Sequence, residues 1–167
     1  MEKKTALDIL KTAILLEKKG KAFYTHVAEQ SKSQAVKKVF NTIAEEEEAH
    51  IQFLSEQYTS FEKDRKFLKS DLPQQGDRAD AGEILAEDIK KEISAASFEA
   101  AAISAAIDFE NRAIEVYSTR AKEATDPNEK ETYQMLADWE KTHHKLLKRM
   151  NDDLQQEIWF DNKFWPF

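Results

Sequence analysis

Cysteine is absent from the chain, which excludes disulfides, thiolate nucleophiles, zinc–thiolate sites and iron held by sulfur. Glycine and proline occur three times each in 167 residues, so long helices meet few residues that break them. No stretch approaches the roughly 20 apolar residues of a membrane-spanning helix. The opening MEKKTALDIL has no apolar run resembling a signal peptide. An excess of basic charge is missing as well. The formal net charge is -7, which repels phosphate backbones and anionic lipid, so neither nucleic acid nor a membrane is an expected partner. Together these absences suit a single domain, with the cytoplasm as the expected compartment.

What is present is charge with amphipathic periodicity. Charged residues make up 34% and hydrophobic residues 41% of the chain, a mixture suited to long helices with one apolar stripe and a solvated outer face. Leu7, Leu10, Ile14, Glu17, Tyr24 and Ala28 recur at three- and four-residue steps. They predict a first helix over about 5–30, with Thr5 and Asp8 as a capping pair. After the polar break Ser31–Lys32–Ser33, an inner stripe running from Val36 through Phe40, Ile43, Glu47 and His50 to Leu54 predicts a second helix over about 34–61. A third, rich in alanine and isoleucine, covers about 97–124. Asp126–Pro127–Asn128–Glu129 offers an N-cap aspartate, a proline in the first turn and an early glutamate, and starts a fourth helix that runs to about 153.

The fold class is therefore all-α. A four-helix bundle over residues 1–157 is expected, its helix pairs 5–61 and 97–153 joined by a long crossover of about 62–96. Leu72–Pro73–Gln74–Gln75–Gly76–Asp77 is the clearest linker, and a short helical turn is expected between Gly82 and Ile93. Residues 158–167 form a C-terminal tail carrying Trp159, Phe160, Phe164, Trp165 and Phe167. Such a tail is too apolar to leave in water, so it should pack on its own bundle or on a partner subunit.

The chain repeats itself. A shift of 93 residues aligns Ala13 with Ala106, Ile14 with Ile107, Glu17 with Glu110, Tyr24 with Tyr117 and Ala28 with Ala121. The same shift aligns Lys37 with Lys130, Ala44 with Ala137, Glu47 with Glu140, His50 with His143 and Leu54 with Leu147. Chance matching at roughly 7% would give about three identities over this span, where ten are found. Most fall on inner faces, as two related helix pairs about an approximate two-fold axis would require.

Two of the repeated elements carry chemistry. Glu47 with His50, and Glu140 with His143, each form Glu-x-x-His, which puts a carboxylate and an imidazole on one helix face. Glu17 and Glu110 each lie 30 residues upstream, on the preceding helices. One Glu from each of two helices plus Glu-x-x-His from each of the other two is the ligand pattern of ferritin-like di-iron and di-manganese bundles. Four carboxylates offset the charge of two divalent ions, and oxygen with imidazole suits iron or manganese, or a mixed pair. Without metal, four carboxylates aimed into one core would repel one another and be costly to desolvate. A single Glu-x-x-His means little here, because the run Glu45–Glu46–Glu47–Glu48 makes one before His50 almost automatic. The weight lies in the same types at the same spacing in both halves. Tyr24 and Tyr117, two turns beyond Glu17 and Glu110, either pack as ordinary core residues or bond the ligand carboxylates; the second reading is preferred. His26 has no repeat mate and His144 points about 100° away from His143, so both are placed at the surface. Trp139 could be packing alone.

The segments Glu17-Lys-Lys-Gly-Lys-Ala-Phe-Tyr24 and Phe40-Asn-Thr-Ile-Ala-Glu-Glu-Glu47-Glu-Ala-His50 resemble the rubrerythrin family of the ferritin-like superfamily. So do Glu110-Asn-Arg-Ala-Ile-Glu-Val-Tyr117 and Leu136-Ala-Asp-Trp-Glu140-Lys-Thr-His143. The resemblance covers nearly all of the chain except the linker and the aromatic tail. It implies a di-iron centre with Glu47 and Glu140 bridging, Glu17 and Glu110 terminal, and His50 and His143 binding one ion each. It also implies a homodimer that reduces hydrogen peroxide with electrons from an external rubredoxin-like donor, since no cysteine is present to build a rubredoxin domain. Many peroxidase members carry a further glutamate three residues after the one in the third helix; here that residue is Ala113. A ferroxidase that oxidises and sequesters iron is the alternative expectation, and a structural metal site in an interaction module is a third.

Overall fold

The computed structural model describes residues 5–69, 92–93 and 97–161. Among them are four helices: α1 (Ala6–Gln30), α2 (Gln34–Asp64), α3 (Phe98–Glu123) and α4 (Pro127–Asp161). Their starts are set by side chains that satisfy otherwise unpaired backbone N–H groups. Thr5 and Asp8 form a reciprocal capping box at α1. The Ser33 hydroxyl accepts from Val36 N at 3.1 Å, and Ser97 does the same for Ala100 N at 3.2 Å. Asp126 accepts from the N–H groups of Asn128 and Glu129. α2 ends at Arg65, whose left-handed φ of 54° turns the chain out of the helix. The linker residues 70–91, including Leu72–Asp77, lie outside the described residues, as does most of the expected turn between Gly82 and Ile93.

α1 packs on α2 and α3 on α4 as two helical hairpins, with a further contact between α1 and α3. The core divides into two apolar layers. One joins Tyr24, Val27 and Ala28 of α1 and Val36, Phe40 and Ile43 of α2 with Ile103 and Ala106 of α3 and Leu147, Met150 and Leu154 of α4. The other joins Leu10 and Ala13, Leu54, Ala113 and Tyr117, and Tyr133, Leu136 and Ala137. The start of α2 therefore lies beside the start of α3, and the two run parallel. Parallel neighbours cannot be joined by a tight turn. Phe67, just past α2, packs against Tyr133 in the second layer, whereas Ile93 belongs to the first. The described chain thus leaves α2 at one layer and re-enters at Ile93 in the other, as in a ferritin-like four-helix bundle with a long crossover between α2 and α3. No helix among the described residues is long and apolar enough to cross a membrane.

α4 differs from the expected end near Asp153. Leu147, Met150 and Leu154 continue the buried stripe at three- and four-residue steps. That burial keeps the backbone helical to Asp161, through the first residues of the expected aromatic tail; residues 162–167 lie outside the described residues.

One buried carboxylate ties the hairpins together. Glu99, in the first turn of α3, accepts from Ser31 Oγ at 3.0 Å and from Lys32 N at 2.8 Å in the α1–α2 turn. Glu99→Ala should strand those donors and destabilise the protein by about 1–3 kcal/mol. Thermal denaturation at neutral pH checks this, and an unchanged midpoint would show that the tie is energetically idle.

Candidate metal centre

Glu17 of α1, Glu47 and His50 of α2, Glu110 of α3, and Glu140 and His143 of α4 meet between the two apolar layers. None is more than 3% exposed, so all six are removed from solvent that would otherwise screen their charges. They form two overlapping groups: Glu17, Glu47, His50 and Glu140, and Glu47, Glu110, Glu140 and His143, each with donor atoms within 4.8 Å of one another. Glu47 and Glu140 belong to both.

The distances show how. His50 Nδ1 lies 3.1 Å from Glu17 Oε2, 3.2 Å from Glu140 Oε1 and 3.6 Å from Glu47 Oε2. His143 Nδ1 lies 3.3 Å from Glu140 Oε2, 3.5 Å from Glu110 Oε1 and 3.8 Å from Glu47 Oε1. Each shared carboxylate thus turns one oxygen to each end, while Glu17 and Glu110 serve one end apiece. The imidazole rings are 6.0 Å apart and inclined by 26°. Both oxygens of Glu140, Glu110 Oε2 and His143 Nδ1 are buried without a hydrogen-bond partner among the described residues. Unpaired buried acceptors are costly, and their convergence is what a cation would relieve.

The tyrosines cross between halves. Tyr24 of α1 donates to Glu110 of α3, and Tyr117 of α3 donates to Glu17 of α1. Burial, reinforced by the Glu110 charge, pushes the Tyr24 hydroxyl far above its usual range, so it stays a proton donor. His26 is exposed and His144 only half-buried. Glu46, which sequence reasoning passed over, reaches the outer nitrogen of His143, with Oε2 2.6 Å from Nε2.

A family model described as rubrerythrin matches residues 8–151. The chain belongs to the rubrerythrin family. No curated protein and no solved structure gives a match. The donor set fits the metal pair that membership implies. Four carboxylates and two imidazoles face one centre, two of the carboxylates are placed to be shared, and several inward atoms lack partners.

In this rubrerythrin-family site, the metal-free side chains shift toward holding protons, with one exception. Burial, then the Glu140 charge, raises Glu17, and the same two causes raise Glu47 well above the carboxylate range. Burial pushes Glu110 up to about 8. Burial alone would lower both histidines, but the carboxylates around them outweigh it and hold His50 and His143 well above 6.5. Glu140 alone goes the other way: burial opposes its charge, yet the two histidines hold it ionised.

The sign of the pH dependence follows by linkage. A group with a raised folded-state pKa stabilises fully below its unfolded value and loses that contribution as pH rises through the folded value. For Glu110 the window runs from 4.5 to about 8, and Glu17, Glu47 and both histidines act with the same sign. Glu140 has the opposite sign, but its window lies below 4.5. The metal-free protein should therefore melt at progressively lower temperature from pH 5 to 8.5, with a shallower slope for Glu110→Gln. Calorimetry in chelator checks both, and a midpoint that climbs across this range would contradict the assignment.

Proposed function

We propose that this protein is a di-iron redox enzyme that reduces hydrogen peroxide to water with electrons from an external, rubredoxin-like donor. The observation that carries the reading is the sharing of Glu47 and Glu140 between two three-carboxylate, one-imidazole groups, a layout that sets two ions side by side. Glu17 and His50 would hold one ion, Glu110 and His143 the other. Bound as ferrous iron, the pair supplies one electron per ion, the two that cleavage of the O–O bond consumes with two protons to yield two waters. Tyr117 donates to Glu17 Oε1 and leaves Oε2 to face His50, whereas Tyr24 donates to Glu110 Oε1, the oxygen nearest His143; each tyrosine thereby fixes its terminal carboxylate in place. The apolar layers on either side shut out bulk water, which would compete for the same donors. An external donor fits this sequence, in which no cysteine is present to bind a relay iron.

Ala113 favours a second reading. It stands one turn past Glu110, buried in the second layer, where many peroxidase members of the family place another glutamate. Without that carboxylate the site would be a slower peroxidase, and a ferroxidase reading gains.

Two measurements separate these readings. Metal analysis after anaerobic loading should give about two irons per chain, and Glu47→Ala or Glu140→Ala should lose both, since each carboxylate serves both ends. Full occupancy in either variant would end the bridging assignment. In stopped flow, the di-ferrous protein should be oxidised faster by hydrogen peroxide than by dioxygen at equal concentration. A preference for dioxygen, with ferric iron then leaving, would replace the peroxidase by a ferroxidase.

A further inference from the structure

The two halves of the site differ on their outer sides. His143 turns Nδ1 toward the carboxylates and Nε2 away from them, toward Glu46 at 2.6 Å. Their side chains are only 4% and 12% exposed, so little solvent competes for that contact. With Nε2 engaged by Glu46, Nδ1 is the nitrogen left for the centre, and it has no hydrogen-bond partner among the described residues. His50 also turns Nδ1 inward. Its buried Nε2, however, finds no acceptor among the described residues. What lies against the ring is the Trp139 indole, edge-to-face at 79° with ring centres 4.8 Å apart.

The 93-residue shift that aligns the ligands also aligns Glu46 with Trp139, since 46 + 93 = 139. In each half, then, the residue just before the shared glutamate reaches across to the histidine of the other half. In one half it is a carboxylate, in the other an indole. A carboxylate on the outer N–H of a ligating histidine fixes its tautomer and ring orientation and strengthens it as a donor. An indole can hold the ring in place by packing but accepts no proton at Nε2.

We propose that Glu46 is a positioning residue that makes the two metal positions unequal, so that the Glu110–His143 end binds first and more tightly while the Glu17–His50 end, backed by Trp139, is weaker and exchangeable. The inference rests on the two-metal reading above. It adds that the metal pair is loaded in a fixed order and that the Glu17–His50 end is the one open to exchange.

The test is anaerobic titration of the full, metal-free chain with ferrous iron in a calorimeter, with Mössbauer spectra at one and two equivalents of ⁵⁷Fe. Two binding steps and two distinct quadrupole doublets are expected, the first doublet filling alone at one equivalent. Glu46→Ala should weaken the first step about 10- to 100-fold and leave the second unchanged. Glu46→Gln, of the same shape and still an acceptor, should recover part of that loss. Trp139→Glu should give His50 the missing partner, tighten the second step and draw the two doublets together. Circular dichroism of each metal-free variant verifies the fold, and the isosteric Glu46→Gln carries the test if the alanine variant does not fold. Indistinguishable steps in the unmodified protein overturn the inference, as does a Glu46→Ala variant that weakens both steps alike, or a Glu46→Gln variant with an unaltered first step and doublet. An unmodified protein that takes up no ferrous iron fails differently: it removes the two-metal reading itself.

Discussion

Four carboxylates and two imidazoles sealed between apolar layers impose one requirement on everything around them: positive charge must be present among them. Isolated buried carboxylates are too costly to remain ionised. Without metal the shifts run the way the requirement demands: burial raises Glu17, Glu47 and Glu110, the surrounding carboxylates raise both histidines, and the two rings lower Glu140. Each metal ion that enters must displace protons, so metal affinity and pH are coupled by construction. The six side chains cannot scatter to escape one another, because Tyr24 and Tyr117 lash the terminal carboxylates to the opposite hairpin.

The same requirement explains the topology. The ligands sit halfway along each helix, so the apolar residues of every helix fall into one group before the site and one after it. The hairpins must then bring α1 against α3 so that the tyrosine of each meets the glutamate of the other. With the sequence order given, α2 and α3 become parallel, and only a connection spanning the bundle can join them. Glu99, reaching from the start of α3 to the turn between α1 and α2, pins one end of this arrangement. Gly20 marks how tightly α1 approaches the centre: a Cβ there would come within 3.0 Å of Phe109 Cε1 and 3.4 Å of Glu47 Cδ.

The bundle and the six inward residues were readable in the sequence because they obey period and repeat. Helix spacing sorted Glu47 from its three glutamate neighbours, and those four residues have four environments. Glu45 is exposed, Glu46 meets His143, Glu47 lies in the centre, and Glu48 pairs with Lys21 at 2.7 Å. Pattern alone located Glu47, since its mate Glu140 has the same spacing to a histidine. Glu46 was not legible, because its role lies in a contact between halves and its mate is a tryptophan. Identity between repeats finds what the halves share and is blind to what they do differently. The end of α4 was not legible for another reason: composition changes after Asp153, while the buried stripe Met150–Leu154 carries the helix past that point.

Charge counting gives the asymmetry its consequence. Four ionised carboxylates balance two divalent ions, but two trivalent ions leave an excess of two positive charges that a buried site must offset locally. The positions where another carboxylate could enter from one turn along α1 or α3 are occupied by Gly20 and Ala113, repeat mates of one another and both uncharged. The first has no room for even a methyl group without displacing Phe109. The compensating carboxylate present in this chain therefore stands behind a ligand, where Glu46 bears on His143. At the opposite end Trp139 stands behind His50 and supplies no charge. On the proposal of unequal ends, the Glu110–His143 end would tolerate oxidation of a bound ion better than the Glu17–His50 end, because a single repeated position in two similar hairpins is filled in two ways.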